Sequence, residues 1–257
     1  MNLAKMRGPI VAPLLLLPLA LGFPMQCGAE SGIRSKVIVG YDLAEGDYGT
    51  GVESRTETVP LTLKLDASRW KAKLQVSQVT IERQPPDGEG DPSTQTGQGD
   101  TIIHLARKSA FRSRGYNYVD WGIKAKIPTA SEEKGLGSGE TDWMFQVDAF
   151  RKHGPWLPFA TLGYRWRGDS PEVDREDGLY GSVGMHYQSP GNWQGGFLID
   201  WRSASSVRLD DGSEGIPYLG FRFSSRISML IYGLVGLNEG SADRGGGLQL
   251  VISPGSR

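Results

Sequence analysis

From Lys36 onward the chain alternates apolar and polar residues at period two, and helical periodicity is scarce. In 156–166, Trp156, Pro158, Ala160, Leu162, Tyr164 and Trp166 fall on one side, while Thr161, Gly163 and Arg165 fall on the other, which Arg167 continues. In 193–202, Trp193, Gly195, Phe197, Ile199 and Trp201 oppose Gln194, Gly196, Asp200 and Arg202. In 119–127, Val119, Trp121, Ile123, Ala125 and Ile127 oppose Asp120, Gly122, Lys124 and Lys126. Side chains of a strand alternate between its faces, so each segment has one apolar and one charged face. Gly, Pro, Asp and Ser separate the runs. The pattern predicts strands over 36–44, 58–66, 69–82, 100–112, 116–128, 141–151, 156–167, 178–188, 193–203, 216–224, 227–237 and 244–253. Many are near the roughly 9–11 residues that a tilted strand needs to cross a bilayer.

The connections sort by length. Short ones lie at Asp66-Ala67-Ser68, Ser113-Arg114-Gly115, Lys152-His153-Gly154-Pro155, Ser189-Pro190-Gly191-Asn192 and Ser224-Ser225-Arg226. Long polar ones run over 45–57, 83–99, 129–140, 168–177, 204–215 and 238–243. Short turns on one side and long loops on the other mark an outer-membrane barrel with both termini in the periplasm. A soluble β domain, the competing reading of the alternation, has no reason to sort its loops. The aromatics agree with a barrel. Trp70, Phe111, Tyr116, Trp156, Tyr187, Trp193 and Phe223 fall at periplasmic strand ends. Trp143, Trp166, Trp201 and Tyr218 fall at extracellular ends, giving two girdles at the membrane boundaries. The expected fold is therefore all-β: a transmembrane, antiparallel, up-and-down β-barrel of about twelve strands occupying 30–257. Closure requires the first and last strands to pair.

The first 29 residues read as a signal peptide. Lys5 and Arg7 precede an apolar run, Ile10 to Phe23, and Cys27-Gly28-Ala29 supplies small residues before Glu30. The run is broken by Pro13 and Pro18 and is shorter than a spanning helix. A lipoprotein anchored through Cys27 is the lesser alternative. Cys27 is the sole cysteine, which excludes a disulfide framework and cysteine-based metal sites from the mature chain. A net charge of −1 over 257 residues offers no polybasic field for nucleic acid. Thirty-six glycines and 38% hydrophobic content suit a barrel in which every second strand residue faces lipid.

Three segments carry a family likeness. They are Lys126-Ile127-Pro128-Thr129 followed by Gly135-Leu136-Gly137-Ser138-Gly139-Glu140-Thr141-Asp142; Leu162-Gly163-Tyr164-Arg165-Trp166-Arg167-Gly168-Asp169; and Glu45-Gly46-Asp47-Tyr48-Gly49. In these the chain resembles a family of outer-membrane transporters that includes the phenol meta-pathway-like barrel proteins. The resemblance implies a small barrel with a transport role and no catalytic residues. One departure is the end of the last strand. It lacks the terminal aromatic that many barrels carry, so assembly is expected either to rely on Leu248, Leu250 and Ile252 or to be inefficient.

Candidate chemistry lies in the lumen. Lys124, Lys126, Asp142, Arg165, Arg167, Asp200 and Arg202 are expected toward its outer half, as elements of selectivity or as partners in charge pairs that close it. Acidic residues 169–177 with Asp210, Asp211 and Glu214 show no ordered ligand spacing, so no metal site is assigned. Gly135-Leu136-Gly137-Ser138-Gly139 is followed by neither helix nor lysine, so it reads as a turn rather than a phosphate loop. A lipid hydrolase needs a Ser–His pair at the lipid-facing rim. His104 and His186 are instead expected in the lumen and His153 in a periplasmic turn, so no enzyme and no cofactor is assigned. The expected function is passive transport of small solutes through the outer membrane, in contact with its lipid. The alternative is a non-conducting structural or surface-binding barrel.

Overall fold

Alternation at period two builds one closed sheet. The computed structural model describes residues 33–85, 89–112, 116–169 and 174–254. The leader assigned to 1–29 and the turn at 113–115 lie outside the described residues. The described residues form β1 (Arg34–Gly46), β2 (Ser54–Asp66), β3 (Trp70–Arg83), β4 (Ser93–Gln98), β5 (Thr101–Arg112), β6 (Tyr116–Ile127) and β7 (Asp142–Lys152). They continue with β8 (Trp156–Trp166), β9 (Gly178–Gln188), β10 (Trp193–Arg202), β11 (Gly212–Arg222), β12 (Ile227–Gly236) and β13 (Arg244–Ile252). Neighbours in the ring pair antiparallel. β1 closes onto β13 from Val37↔Ile252 to Glu45↔Arg244, as closure demanded. Among the described strands no backbone edge is left to face hydrocarbon, where an unpaired peptide group is costly.

β4 corrects the sequence reading, which placed 83–99 in a loop. Gln78↔Gln98 and Gln75↔Ile102 belong to registers that differ by one residue, so β4 and β5 form one strand interrupted by a bulge at Gly99-Asp100. The Gly99 amide donates to the Ser77 carbonyl within it at 2.9 Å. β3 and β4 thus carry a hairpin past the membrane, where loop 128–141 packs against it. Val79, Ile81, Ala130 and Leu136 form a small apolar core there. β2 and β11 also start earlier than expected, at Ser54 and Gly212. Outside lipid the ladder continues without an apolar outer face to mark it.

The outer face is apolar. Leu61, Leu63, Leu74, Ile103, Leu105, Ile123, Leu162, Phe197, Leu219 and Ile231 are exposed on it. So are Trp70, Trp156, Trp193 and Phe223 toward the periplasmic ends, and Trp143, Trp166 and Trp201 toward the extracellular ends. Trp156, Tyr187 and Trp193 form one run of contacting rings, at 4.7 and 5.3 Å between centroids. The side chains of Phe111 and Tyr116 lie outside the described residues. Tyr218 is a correction: it is not in the extracellular girdle. It faces the lumen, buried, with its hydroxyl 3.1 Å from His186 Nδ1. The phase of Glu214 and Arg222 on the same strand turns it inward.

Inside, aromatic rings lie flat on glycines of the next strand. Gly163 faces Tyr180, Gly184 faces Phe159, Gly196 faces Tyr218 and Gly247 faces Tyr232 in the cross-strand register. A Cβ on any of the four would collide with a ring, and at Gly184, Gly196 and Gly247 with a backbone carbonyl as well. Gly196→Val is expected to cost about 1–3 kcal/mol by overpacking. A urea titration in lipid vesicles checks this, and Gly215→Val serves as the comparison, since that site has no neighbour closer than 3.9 Å.

Candidate functional site

The lumen wall is assembled from the even residues of β1, β2, β5, β6, β7, β9, β10, β11 and β12 and the odd residues of β3, β8 and β13. It divides into two unlike halves. One half is apolar. Ala44, Leu198, Ile216, Tyr218, Leu230 and Leu234 pack with Tyr48 and Ala242 from the outer loops, and Phe159 and Tyr232 lie against them. Burial of these side chains shows that this half of the bore is filled. Tyr48 reaches the cluster from a left-handed backbone turn, at φ 53°.

The other half is charged, and its outer end is closely bonded. Lys126 Nζ donates to Asp100 Oδ2 at 3.0 Å, to Ser138 Oγ at 2.7 Å and to the Glu140 carbonyl at 2.9 Å. Asp142 sits 3.6 Å from that ammonium and is buried. It accepts from Arg175 Nη2 at 3.0 Å and from the Gly168 amide at 3.3 Å, and Arg175 Nη1 lies 3.0 Å from its other oxygen as an ion pair. Arg202 donates to Glu214 at 2.7 Å and to the Gly240 carbonyl at 3.3 Å. Arg167 donates to the carbonyls of Glu176 and, at 3.3 Å, Ala204. Thus Lys126, Asp142, Arg167 and Arg202 serve to tie loops to the wall. The bulge places Asp100 where Lys126 reaches it. Asp100 and Arg175 were not singled out from the sequence, because each acts from outside a regular strand.

Lys124, Arg165 and Asp200 behave differently. Lys124 and Arg165 lie over the Tyr180 ring, at 5.5 and 5.8 Å from its centroid. Neither makes an ion pair among the described residues, and Arg165 Nε is buried without a hydrogen-bond partner. Lys124 is only 7% exposed. Asp200 stands directly opposite Glu214 and also makes no ion pair among the described residues.

Register shows what single-strand reading missed. Lys36 pairs with Lys64, Lys64 with Lys73, Lys73 with His104, and His104 with Lys124. All five face the lumen on neighbouring strands. The same row continues through Met144 to Arg165. The available signal was the phase of residues 36, 64 and 73 on their polar faces; their adjacency required the pairing.

Among the described residues no group of three or more His, Cys, Asp or Glu is placed to hold a metal. His104 and His186 face the lumen and His153 forms a turn bridge with Trp156, as expected.

No protein-family model matches the chain, and no curated protein sequence matches it. Solved structures do match. An outer membrane channel from Pseudomonas putida F1 aligns with a TM-score of 0.73 at 12% identity, covering 90% of this chain and 99% of that one. The transport unit of the autotransporter AIDA-I from Escherichia coli aligns at 0.52 and 9%, covering 92% and 94%. The translocator domain of the autotransporter NalP from Neisseria meningitidis aligns at 0.50 and 12%, covering 87% and 88%. At such identities the likeness is one of fold, and the fold is the outer-membrane β-barrel.

Proposed function

We propose that the protein is a passive channel for small solutes in the outer membrane, with the charged half of the lumen as its selective wall. The observation that carries this reading is the uneven pairing of charge. A barrel sealed by salt bridges would neutralise its interior, because a buried ion without a counterion is costly. Here Lys36, Lys73, Lys124 and Arg165 face the lumen without an ion pair among the described residues. Water and solute ions are the partners left to them. The apolar side chains packed inside the barrel favour passage of small molecules over large ones. The Pseudomonas putida structure is described as a channel, which agrees with this reading, as does the resemblance to phenol meta-pathway-like transporters. The reading assigns no catalytic step.

One observation favours the alternative of a non-conducting, surface-binding barrel. The Lys126–Asp142–Arg175 network draws the outer loops inward, as a rigid cap would. Flux separates the two. The mature chain, refolded in liposomes, is expected to pass small polar solutes and to exclude larger ones. Flux should rise when Arg175→Ala releases the outer network. Absence of flux from protein proved folded by heat-modifiable migration would leave the binding role.

A further inference from the structure

We infer that Lys36, Lys64, Lys73, His104 and Lys124 form a continuous path for small anions through the lumen, leading to Arg165 at the outer end. The inference rests on the channel reading and names the class of solute.

Geometry makes the row a path. Neighbouring strands lie about 4.8 Å apart, so directly opposed residues are adjacent steps along the wall. Strands of a barrel tilt by about 35–45°, so a row that crosses them also climbs the axis. The climb is visible in the chain. Lys36 is the third residue of β1, near its periplasmic start, and Arg165 is the penultimate residue of β8, at its outer end. The row therefore joins the two mouths.

Chemistry makes the path anionic. Like charges directly opposite each other destabilise a sheet. Lys36 against Lys64, and Lys64 against Lys73, are two such contacts in succession. Asp66, Asp42 and Asp148 act on lysines of the row but are also bound to groups outside it, so they offset its charge only in part. Asp66 binds Lys108 at 2.5 Å, and Asp120 binds Lys71. Asp42 accepts from the Tyr232 hydroxyl at 2.5 Å. Asp148 accepts from Gln146 and from Thr161, at 2.6 and 2.7 Å. Asp200 on β10 is within electrostatic reach of Lys124 and Arg165 without forming an ion pair among the described residues, and Glu214 on β11 is bound to Arg202. His104 Nε2 is buried beside the lysines without a hydrogen-bond partner. The apolar filling is built mainly from β10, β11 and β12, away from the row. An anion stepping from one lysine to the next exchanges one favourable contact for another, which is the condition for conduction rather than capture.

The test uses the mature full chain in planar bilayers, with reversal potentials measured across potassium chloride and potassium acetate gradients. The wild type is expected to prefer the anion in both salts; acetate without chloride, or the converse, identifies the kind of anion carried. Lys73→Gln with Lys124→Gln should lower the anion-to-cation permeability ratio several-fold, Lys73→Arg should preserve it, and Lys134→Gln, on an outer loop, should leave it unchanged. Lys73→Gln should also raise the urea midpoint, since it removes a like-charge contact. A conducting wild type without anion preference, or a double variant that retains the preference, overturns the path while the channel stands. A lowered urea midpoint in Lys73→Gln assigns that lysine a structural role and also overturns it. No conductance from folded protein removes the channel itself.

Discussion

Removal of the Asp142 carboxylate, by Asp142→Ala, is expected to destabilise the folded barrel by about 3 kcal/mol. Asp142 is buried, at 2% exposure, and receives Arg175, the Gly168 amide and the field of Lys126. Without it two cations remain close together in a region with little water. The cost of breaking a partly buried ion pair lies mostly in the charge left behind, so it exceeds the worth of the pair. The check is a urea titration of tryptophan fluorescence in vesicles. Asp142→Ala combined with Arg175→Ala should recover part of the loss, since the second change removes one of the stranded charges. Equal midpoints for wild type and Asp142→Ala would show that the outer network is solvated and holds nothing.

Phe197→Arg carries the second large effect, about 2–4 kcal/mol of destabilisation. Phe197 stands mid-strand in β10 on the outer face, 55% exposed, with Ile199 beside it. On a water-soluble β protein, replacing an exposed phenylalanine with arginine is nearly free. In a membrane the guanidinium enters hydrocarbon. The same urea titration measures it, and Trp193→Arg, at the girdle, should cost far less because its side chain reaches headgroups. Equal small costs at both positions would overturn the membrane placement of this face.

Those two residues illustrate how much the sequence discloses. The outward position of Phe197 was legible because lipid outside and charge inside impose a strict period on every spanning strand. The strand count and face assignments follow from it. Legibility ends where lipid ends. Ser93-Thr94-Gln95-Thr96-Gly97-Gln98 is polar on both sides and lies beyond the apolar belt, so nothing in its pattern announced β4. Tyr218 failed for a related reason: Ile216 and Tyr218 on one face of β11 look as apolar as Pro217 and Leu219 on the other. For the site, the inward direction of Lys124, Arg165 and Asp200 was readable strand by strand. Pairing was not. Whether Lys126 meets Asp100 depends on a one-residue bulge, and whether Lys64 meets Lys73 depends on the register of a hairpin. Period carries neither, since a shift of two residues keeps every face and changes every partner.

The glycines under the lumen rings carry a further meaning. Strand number fixes the outer girth of a barrel, and side chains determine what clearance remains. Here Tyr180, Phe159, Tyr218 and Tyr232 recline because Gly163, Gly184, Gly196 and Gly247 leave room beneath them. Each glycine is thus a calibration mark for the aperture. Relatives that exchange these positions for alanine or serine would lift a ring from the wall and acquire a finer sieve, with no strand added or lost.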